Sequence, residues 1–552
     1  MADADIIVVG AGLAGLVAAV EAADAGRSVI VLDQEGAASL GGQAWWSLGG
    51  LFLVNSPEQR HLRIKDSAEL ALADWMGSAG FDRPEDHWPR KWAEAYVDFA
   101  SGEKRAWLKE LGIPLFPVVQ WTERGGYQVP SHGNSVPRFH LIWGSGPGVL
   151  TPFVGRINEH VRSGRVQLRF RYRVTELIRG GADVTGVAGE ILAPTTGGRG
   201  EPSSRVATGN FSLAAGAVIV TSGGVGANHD LVRHYWPGGP ALAPKKMLSG
   251  VPDSTDGLML GITERAGGRV INADRMWNYP EGVQNHSPVW SSHAIRVLAG
   301  PTSLWLDAYG HRLPTPLFPG FDSLGALRHI LASGQEHSWF VLNMRTIGPE
   351  FSLSGSEQNP DIAAKSVKLL LTTRAGGKIT PPVQAFIDNG VDFVQAPTVD
   401  ELVAQMNALV GEPLIDADEL TTTIRHRDLQ VRSGLGKDPQ VLAVDAARRY
   451  FGDRRMRTVS PHELLDPAAG PLLAVRLHFL TRKSLGGLET DLSSRVLGPD
   501  GNPVGGLYAA GEVAGFGGGG MHGYRALEGS FLGGCMFSGR IAGRAAAAAV
   551  GG

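Results

Sequence analysis

His522, Tyr524 and Arg525 stand close together in the segment MHGYRALEG, residues 521–529. An imidazole and a phenol can each move a proton, and a guanidinium offers a fixed fork of donors to a carboxylate or an enolate oxygen. Such a set can hold a carbonyl as charge develops while a neighbouring C–H bond is broken or made. The same residues also allow a plainer reading, an Arg525–Glu528 pair that ties down a helix start. A second dense stretch, SHGNSVPRFHLIWGSGPG over 131–148, gathers Arg138 and His140 with His132 and Trp143. It reads either as the wall of a site or as a loop packed by aromatics. In WNYPEG, Tyr279 is a further candidate, with Glu281 close by. No HxxxH, CxxC, GxSxG or Walker A pattern occurs, so neither a metal nor a serine nucleophile is expected.

The elements that must position such groups begin at the start of the chain. DIIVVG reads as a strand, GAGLAG (10–15) as a turn, LAGLVAAVEAADAG as a helix and SVIVLD as a second strand. In that order the glycines form a dinucleotide fingerprint: Gly10 for the tight turn, Gly12 for close approach to a pyrophosphate, Gly15 for helix–strand packing. Leu13 and Ala14 open the helix, whose free N–H groups favour an anion. Asp33, at the end of the second strand and followed by Gln34, is placed to accept hydrogen bonds from ribose.

The fingerprint alone does not separate NAD from FAD. AVIVTSGG (217–224) is an apolar strand ending in small residues, with Thr221 and Gly223 beside the adenosine half. Val174, in VTELI, lies where a strand can offer backbone bonds to adenine. GLYAAGEVAG (506–515) puts Gly511 and Glu512 at another strand end, ahead of a glycine loop and a helix. The start of that helix, at Ser530 and Leu532, is suited to stabilising negative charge on a reduced flavin. Two strand–glycine–helix elements at opposite ends of the chain suit a long ligand gripped at both ends. The loop GGQAWWSLGG adds Gly41, Gly42, Gln43, Gly49 and Gly50.

The 552 residues suffice for two or more domains, and 43% apolar with 19% charged residues is the composition of a soluble globular chain. The net charge of −3 implies no strong attraction to nucleic acid or anionic membrane. Cys535 is the one cysteine, which suits a reducing cytoplasm and reads as a small core residue. No signal peptide is expected ahead of the first strand, and no apolar run reaches the roughly 20 residues that span a bilayer.

Along the chain, 58–112 read as helices, 113–150 as loop, and a helix starts at 151. Strands follow over VQLRFRYRVTELIRGGADVTGVAGEIL, with GGAD as a turn. From 275 to 444 prolines, aromatics and polar loops dominate, with helices such as TVDELVAQMNALVG and DADELTTTIRHRDLQ. This segment reads as an insert in a discontinuous nucleotide domain, 1–274 and 445–552.

IIVVGAGLAGLVAAVEAADAG, GGQAWWSLGG, AVIVTSGGVGAN, STDGLMLG, KSLGGLETD, GLYAAGEVAG and FSGRIAG together resemble the flavoprotein family of fumarate reductases, succinate dehydrogenases and 3-ketosteroid dehydrogenases. The resemblance implies an α/β fold: a Rossmann-like, discontinuous FAD-binding domain with an inserted α+β cap domain, and substrate held between cap and flavin. The loop 41–50 lacks the histidine that carries covalent flavin in membrane-bound relatives, so the FAD is expected to be noncovalent. Arg482-Lys483-Ser484 replaces the histidine pair of fumarate reductases, and GHRLPTPLFPGFDSLG lacks their proton-donating arginine motif. Fumarate is therefore not the expected substrate. The C-terminal stretch is closer to the ketosteroid dehydrogenases, although Arg525 takes the place of their carbonyl-polarising tyrosine, with Tyr524 adjacent.

The expected activity is desaturation next to a carbonyl, or the reverse alkene reduction, on a bulky and possibly steroid-like substrate. Trp45, Trp46, Trp121 and Trp143, around the expected cleft, favour an apolar substrate. Two alternatives stay open: reduction of a small unsaturated carboxylate, and a flavin-binding redox module without turnover. The expected partners are a small-molecule substrate and an electron donor or acceptor that no residue pattern identifies, with no nucleic acid and no integral membrane segment.

Overall fold

A computed structural model describes residues 2–126, 132–374 and 377–551. Residue 131, the first of the 131–148 stretch, and two residues of the 275–444 segment lie outside these. The N-terminal strand Ala4–Val9 is the centre of a parallel sheet. Val29–Asp33 pairs on one side and Ala207–Val220 on the other, both parallel. Val166–Phe170 and Pro503–Ala509 extend the sheet outward. Such strands are covered on both faces, which explains why IIVV and VIVL are unbroken apolar runs rather than alternating ones.

Ala207–Val220 serves two sheets along its length. Its second half is parallel to Ala4–Val9, while its first half closes an antiparallel meander with Tyr172–Gly180 and Asp183–Leu192. The C-terminal helix Ser530–Ala549 lies against the first helix, Leu13–Asp24. Gly539 and Gly543 make the close approach possible: a Cβ on either would sit about 2.5 Å from the carbonyl of Ala14 or Ala18. The two ends of the chain thereby meet.

The second sheet is built around Leu472–Ser484. That strand is antiparallel to Met276–Gln284, His337–Asn343 and Phe393–Ala396, and parallel to Leu248–Ser249. The sequence reading returned the chain to the nucleotide domain at 445. In the structure Leu472–Ser484 pairs instead with strands of the 275–444 segment. Helices Val399–Val410 and Ala417–Ser433 start on Thr398 and Asp416, whose side chains accept from the N–H groups of Glu401 and Glu419.

The stretch 113–150 is more ordered than its Pro, Gly and His content suggested. Leu115–Gln120 and Phe139–Ile142 form strands, joined by Gly50–Phe52 in a small sheet, and the next helix starts at Ser145 rather than 151. Among the described residues no helix is long and apolar enough to cross a membrane.

Candidate active site

The ends of the parallel strands open into an elongated cleft that continues between the two sheets. At one end its walls are Gly10, Gly12, Leu13, Ala14, Asp33, Gln34, Val174, Thr221 and Gly223. Farther along come Gly42, Gln43, Gly50, Gly511, Glu512 and Leu532, and at the far end Thr122, Phe139, Tyr279, Arg296, Leu298 and Glu528.

The glycines of the first turn divide the work. Gly10 has φ 108°, and a Cβ there would lie 2.6 Å from the Thr221 carbonyl. A Cβ on Gly15 would lie 2.0 Å from the Gly10 carbonyl, so Gly15 is a packing residue and does not line the cleft. Gly12 has extended φ and ψ, caps the helix Leu13–Asp24, and its Cβ would meet nothing within 4 Å. Open space over a helix N-terminus is what a pyrophosphate requires. Asp33 holds the turn: its carboxylate accepts from the N–H groups of Ala11 and Glu35, each at 2.8 Å. Burial raises its pKa to about 6, against those two bonds. Thr221 Oγ1 donates to the carbonyls of Val9 and Gly10, and the buried Ser222 hydroxyl has no partner. Gln34 donates to Asp256 at 2.9 Å.

Gly41 and Gly49 support the wall from behind. Gly41, at φ 94°, donates its N–H to Ala11, and Gly49 sits where a Cβ would meet Ser145 at 2.7 Å. Glu512 accepts from the Ser484 backbone N–H at 3.0 Å and from Lys483 and Gln43 at 3.3 Å. Burial lowers the pKa of Lys483. Cys535 is half-buried and lines the cleft, its pKa pushed up to about 12 by burial. Ser530 faces away, within hydrogen-bond reach of His522 at 2.9 Å.

Of the six side chains singled out for proton transfer or carbonyl binding, Tyr279 lines the cleft and five are placed elsewhere. His522 is fully buried, stacked on Trp75, and burial drops its pKa to about 3. Tyr524 donates to Asp82 at 3.1 Å, with the Arg275 guanidinium 4.1 Å from its ring centre. Arg525 approaches Asp322 at 3.8 Å, and Glu528 pairs with Arg296 rather than with Arg525. Arg138 is saturated by Asp66 (2.7 Å), Asp74 and Asn134 (3.0 Å). His140 donates from Nδ1 to the Arg138 carbonyl at 2.8 Å and accepts from Ser56 at 2.7 Å, and burial lowers its pKa to about 4. These five hold the framework around the cleft. None of the four tryptophans weighed as lining is among the cleft residues, where Phe139, Leu298, Phe516 and Phe531 supply the apolar surface.

The far end carries a cluster of which the sequence reading names Tyr279, Glu281 and Glu528 but neither Arg296 nor Glu123. Arg296 donates to Glu528 at 2.8 Å, to Glu123 at 2.7 Å and to Ser323 at 3.0 Å, and its Nε is 3.5 Å from Glu281. Tyr279 donates its hydroxyl proton to the same Glu528 oxygen at 3.0 Å, and its ring centre is 3.6 Å from the Arg296 guanidinium carbon. Burial, with Glu528 beside it, raises the Tyr279 pKa. A signal was present in AIRVL: a lone arginine inside a fully buried strand has to have buried partners.

A family model described as FAD binding domain matches residues 5–532. A KsdD-like steroid dehydrogenase of Mycolicibacterium smegmatis is 59% identical over 548 residues, covering 99% of this chain and 100% of the relative. In structure, the chain is similar to a 3-ketosteroid delta1-dehydrogenase from Sterolibacterium denitrificans in complex with 1,4-androstadiene-3,17-dione. That likeness has a TM-score of 0.71 at 17% identity, covering 99% of both chains. It is also similar to the open conformation of a flavocytochrome c3 fumarate reductase, with a TM-score of 0.64 at 22% identity, covering 99% of this chain and 78% of the other.

Proposed function

The chain belongs to the FAD-binding family whose model spans residues 5–532, and from that premise we propose that it desaturates a bulky, steroid-like ketone next to its carbonyl. The reading has FAD bound noncovalently along the cleft, adenosine towards Asp33 and Val174, flavin towards Leu532. The open space at Gly12 and the unpartnered Ser222 hydroxyl fit its pyrophosphate and ribose. Bound FAD supplies the two-electron acceptor. The segment 275–444, with Leu472–Ser484, acts as a cap over a Rossmann-like nucleotide domain.

The observation that carries the choice of substrate is the charge at the far end of the cleft. The arginines along the cleft are already engaged: Arg173, beside Val174, with Glu190, Arg482 with the Gly250 carbonyl, and Arg296, at the far end, with its carboxylates. A small carboxylate entering there would meet Glu528 beside an Arg296 whose guanidinium is already taken up by Glu123, Glu281 and Glu528. A neutral ketone meets a phenol and apolar walls. Tyr279 moves the proton, and Glu528, bonded to its hydroxyl, sets that proton's direction. The kinship with the KsdD-like steroid dehydrogenase supports the same substrate class.

The test is anaerobic mixing of the holoenzyme with 3-ketosteroids, and of the reduced holoenzyme with fumarate and other small enoates. Bleaching of the flavin by a ketosteroid, with no reoxidation by the carboxylates, is the expected result. Rapid reoxidation by a small enoate, with no bleaching by any ketosteroid, would reverse the assignment.

A further inference from the structure

The cluster at the far end of the cleft is unusual in its charge count. Three carboxylates, Glu123, Glu281 and Glu528, surround the single guanidinium of Arg296, and every one of the four side chains is less than a tenth exposed. They come from four separate parts of the chain: Glu281 and Tyr279 on Met276–Gln284, Arg296 on Ala294–Leu298, Glu123 on the loop before residue 127, and Glu528 ahead of the C-terminal helix. With all three carboxyls ionised the group would carry a net charge of −2. Buried charge of that size without counter-ions is too costly to persist, so the cluster must bind protons.

The hydrogen bonds show where they go. One oxygen of Glu528 accepts from Tyr279, from Arg296 and, at 3.4 Å, from the Trp277 indole. Glu281 accepts from Ser323 at 2.8 Å on one oxygen, and its other oxygen is buried with no hydrogen bond and only the Arg296 Nε at 3.5 Å. The same Ser323 hydroxyl accepts from Arg296, so it couples Glu281 to the guanidinium. Glu123 has Arg296 on one oxygen and a long 3.4 Å contact from the Ser323 N–H on the other. Burial, with Glu528 and Glu281 nearby, pushes its pKa up to about 8 in spite of Arg296. The other charges that bear on the cluster are Arg482 towards Tyr279, Arg525 towards Glu123, and Arg457 towards Arg296. All three are cations, and none relieves the repulsion by a direct bond to the carboxylates among the contacts described.

We propose that Glu123, Glu281 and Glu528, gathered on Arg296, share one exchangeable proton at neutral pH and form the store with which Tyr279 trades the proton of the reaction. The inference rests on the desaturation reading for its last part only. One substrate C–H bond gives its hydrogen as a proton to Tyr279 Oη, and the hydroxyl proton of Tyr279 passes to Glu528. The electron pair left on carbon forms the new C=C bond as the adjacent C–H bond breaks, and the hydrogen of that bond would leave with both electrons to oxidised FAD, the acceptor the cleft would hold. Glu528 takes that proton while the one already held remains on Glu123 or Glu281, so the cluster passes from a net charge of −1 to neutral and stays poised to release it. Run in reverse, the same store would supply the proton.

The experiment is infrared difference spectroscopy on the holoenzyme, wild type against Glu123→Gln, Glu281→Gln and Glu528→Gln. Glu350→Gln serves as a control, because that buried carboxyl, bonded to Thr302, also has a raised pKa, about 7, but lies outside the cluster. At pH 7 the wild type should show a carboxylic-acid C=O band that shifts in D2O, disappears with a midpoint near pH 8 and is absent from Glu123→Gln or Glu281→Gln. Should those variants not fold, Ser323→Ala, which removes the hydroxyl bridging Glu281 and Arg296, should shift the band in frequency. Acid-band spectra identical to wild type in all three cluster variants and in Ser323→Ala would overturn the proposal. Because the band needs no substrate, its absence in an enzyme that ketosteroids do bleach would remove the store alone. Its presence in an enzyme that no ketosteroid bleaches would leave the shared proton standing and remove the desaturation reading.

Discussion

The two ends of the cleft are made of different materials. Around Gly10, Gly12 and Thr221 the wall is backbone, backed by Gly15, and its contacts leave no room for a methyl group on Gly10 or Gly15, whereas Gly12 faces the open cleft. Around Tyr279 and Arg296 the wall is ionisable side chains that contact one another before any ligand arrives. Backbone walls are rigid, and here one buried carboxylate, Asp33, with its pKa raised to about 6, holds the turn. A wall of coupled carboxylates changes its charge with a single proton. The first material suits the holding of a cofactor, the second a reaction that takes up and gives back protons.

Substitutions should separate the two ends sharply. Replacing Arg296 by Leu leaves Glu123, Glu281 and Glu528 buried without their cation and should cost about 3–5 kcal/mol. The carboxyls then answer by protonating, so thermal melting of this variant should recover as pH is lowered towards 6. A melt with no dependence on pH would mean the cluster is not electrostatically strained. At the other end, Gly15→Ala drives a methyl into the Gly10 carbonyl and should cost about 3 kcal/mol at every pH, measured the same way. Gly12→Ala is the complementary probe. Its φ of −75° suits any residue and its Cβ meets nothing, so the apoprotein should melt as wild type. Flavin affinity should fall by about tenfold, ~1.4 kcal/mol, because the methyl takes the space of the pyrophosphate. Unchanged affinity would place the phosphates elsewhere.

The smallest effect is in the pH dependence of wild-type stability. Glu123 has its folded pKa raised to about 8, and Glu350 and Glu357 theirs to about 7, all through burial. Between their unfolded values near 4.3 and these, the folded state binds more protons than the unfolded one, so stability falls as pH rises. The buried His140 and His522, with pKa values lowered to about 4 and about 3, act with the opposite sign, but only below about 6.5. Melting temperature should therefore decline between pH 6.5 and 8.5, by about 1–2 °C, and decline less in Glu123→Gln.

The same contrast of materials explains what could be read from the chain itself. The roles of Gly10 and Gly15 follow from steric limits local to a strand–turn–helix, and spacing along the chain reports them. Arg296, Glu123, Tyr279 and Glu528 come from separate segments, and no local pattern links them. Density of reactive side chains misled for a physical reason: His522, Arg138 and His140 sit in short segments that must anchor several elements at once, and polar side chains are what tie buried backbone together. Arg138 spends its whole guanidinium on Asp66, Asp74 and Asn134. The composition of Leu472–Ser484 matches the texture of the nucleotide segments, while its partners reach back to Leu248 and Met276. Such pairing is set by tertiary contact rather than by propensity.

The central claim is that Tyr279 moves the proton at the chemical end of the cleft. Stopped-flow flavin reduction by a 3-ketosteroid under anaerobic conditions, wild type against Tyr279→Phe, tests it most directly. The variant should keep its flavin and its steroid affinity and reduce the flavin about 100- to 10,000-fold more slowly. Reduction at the wild-type rate would contradict the account and assign the proton to another group.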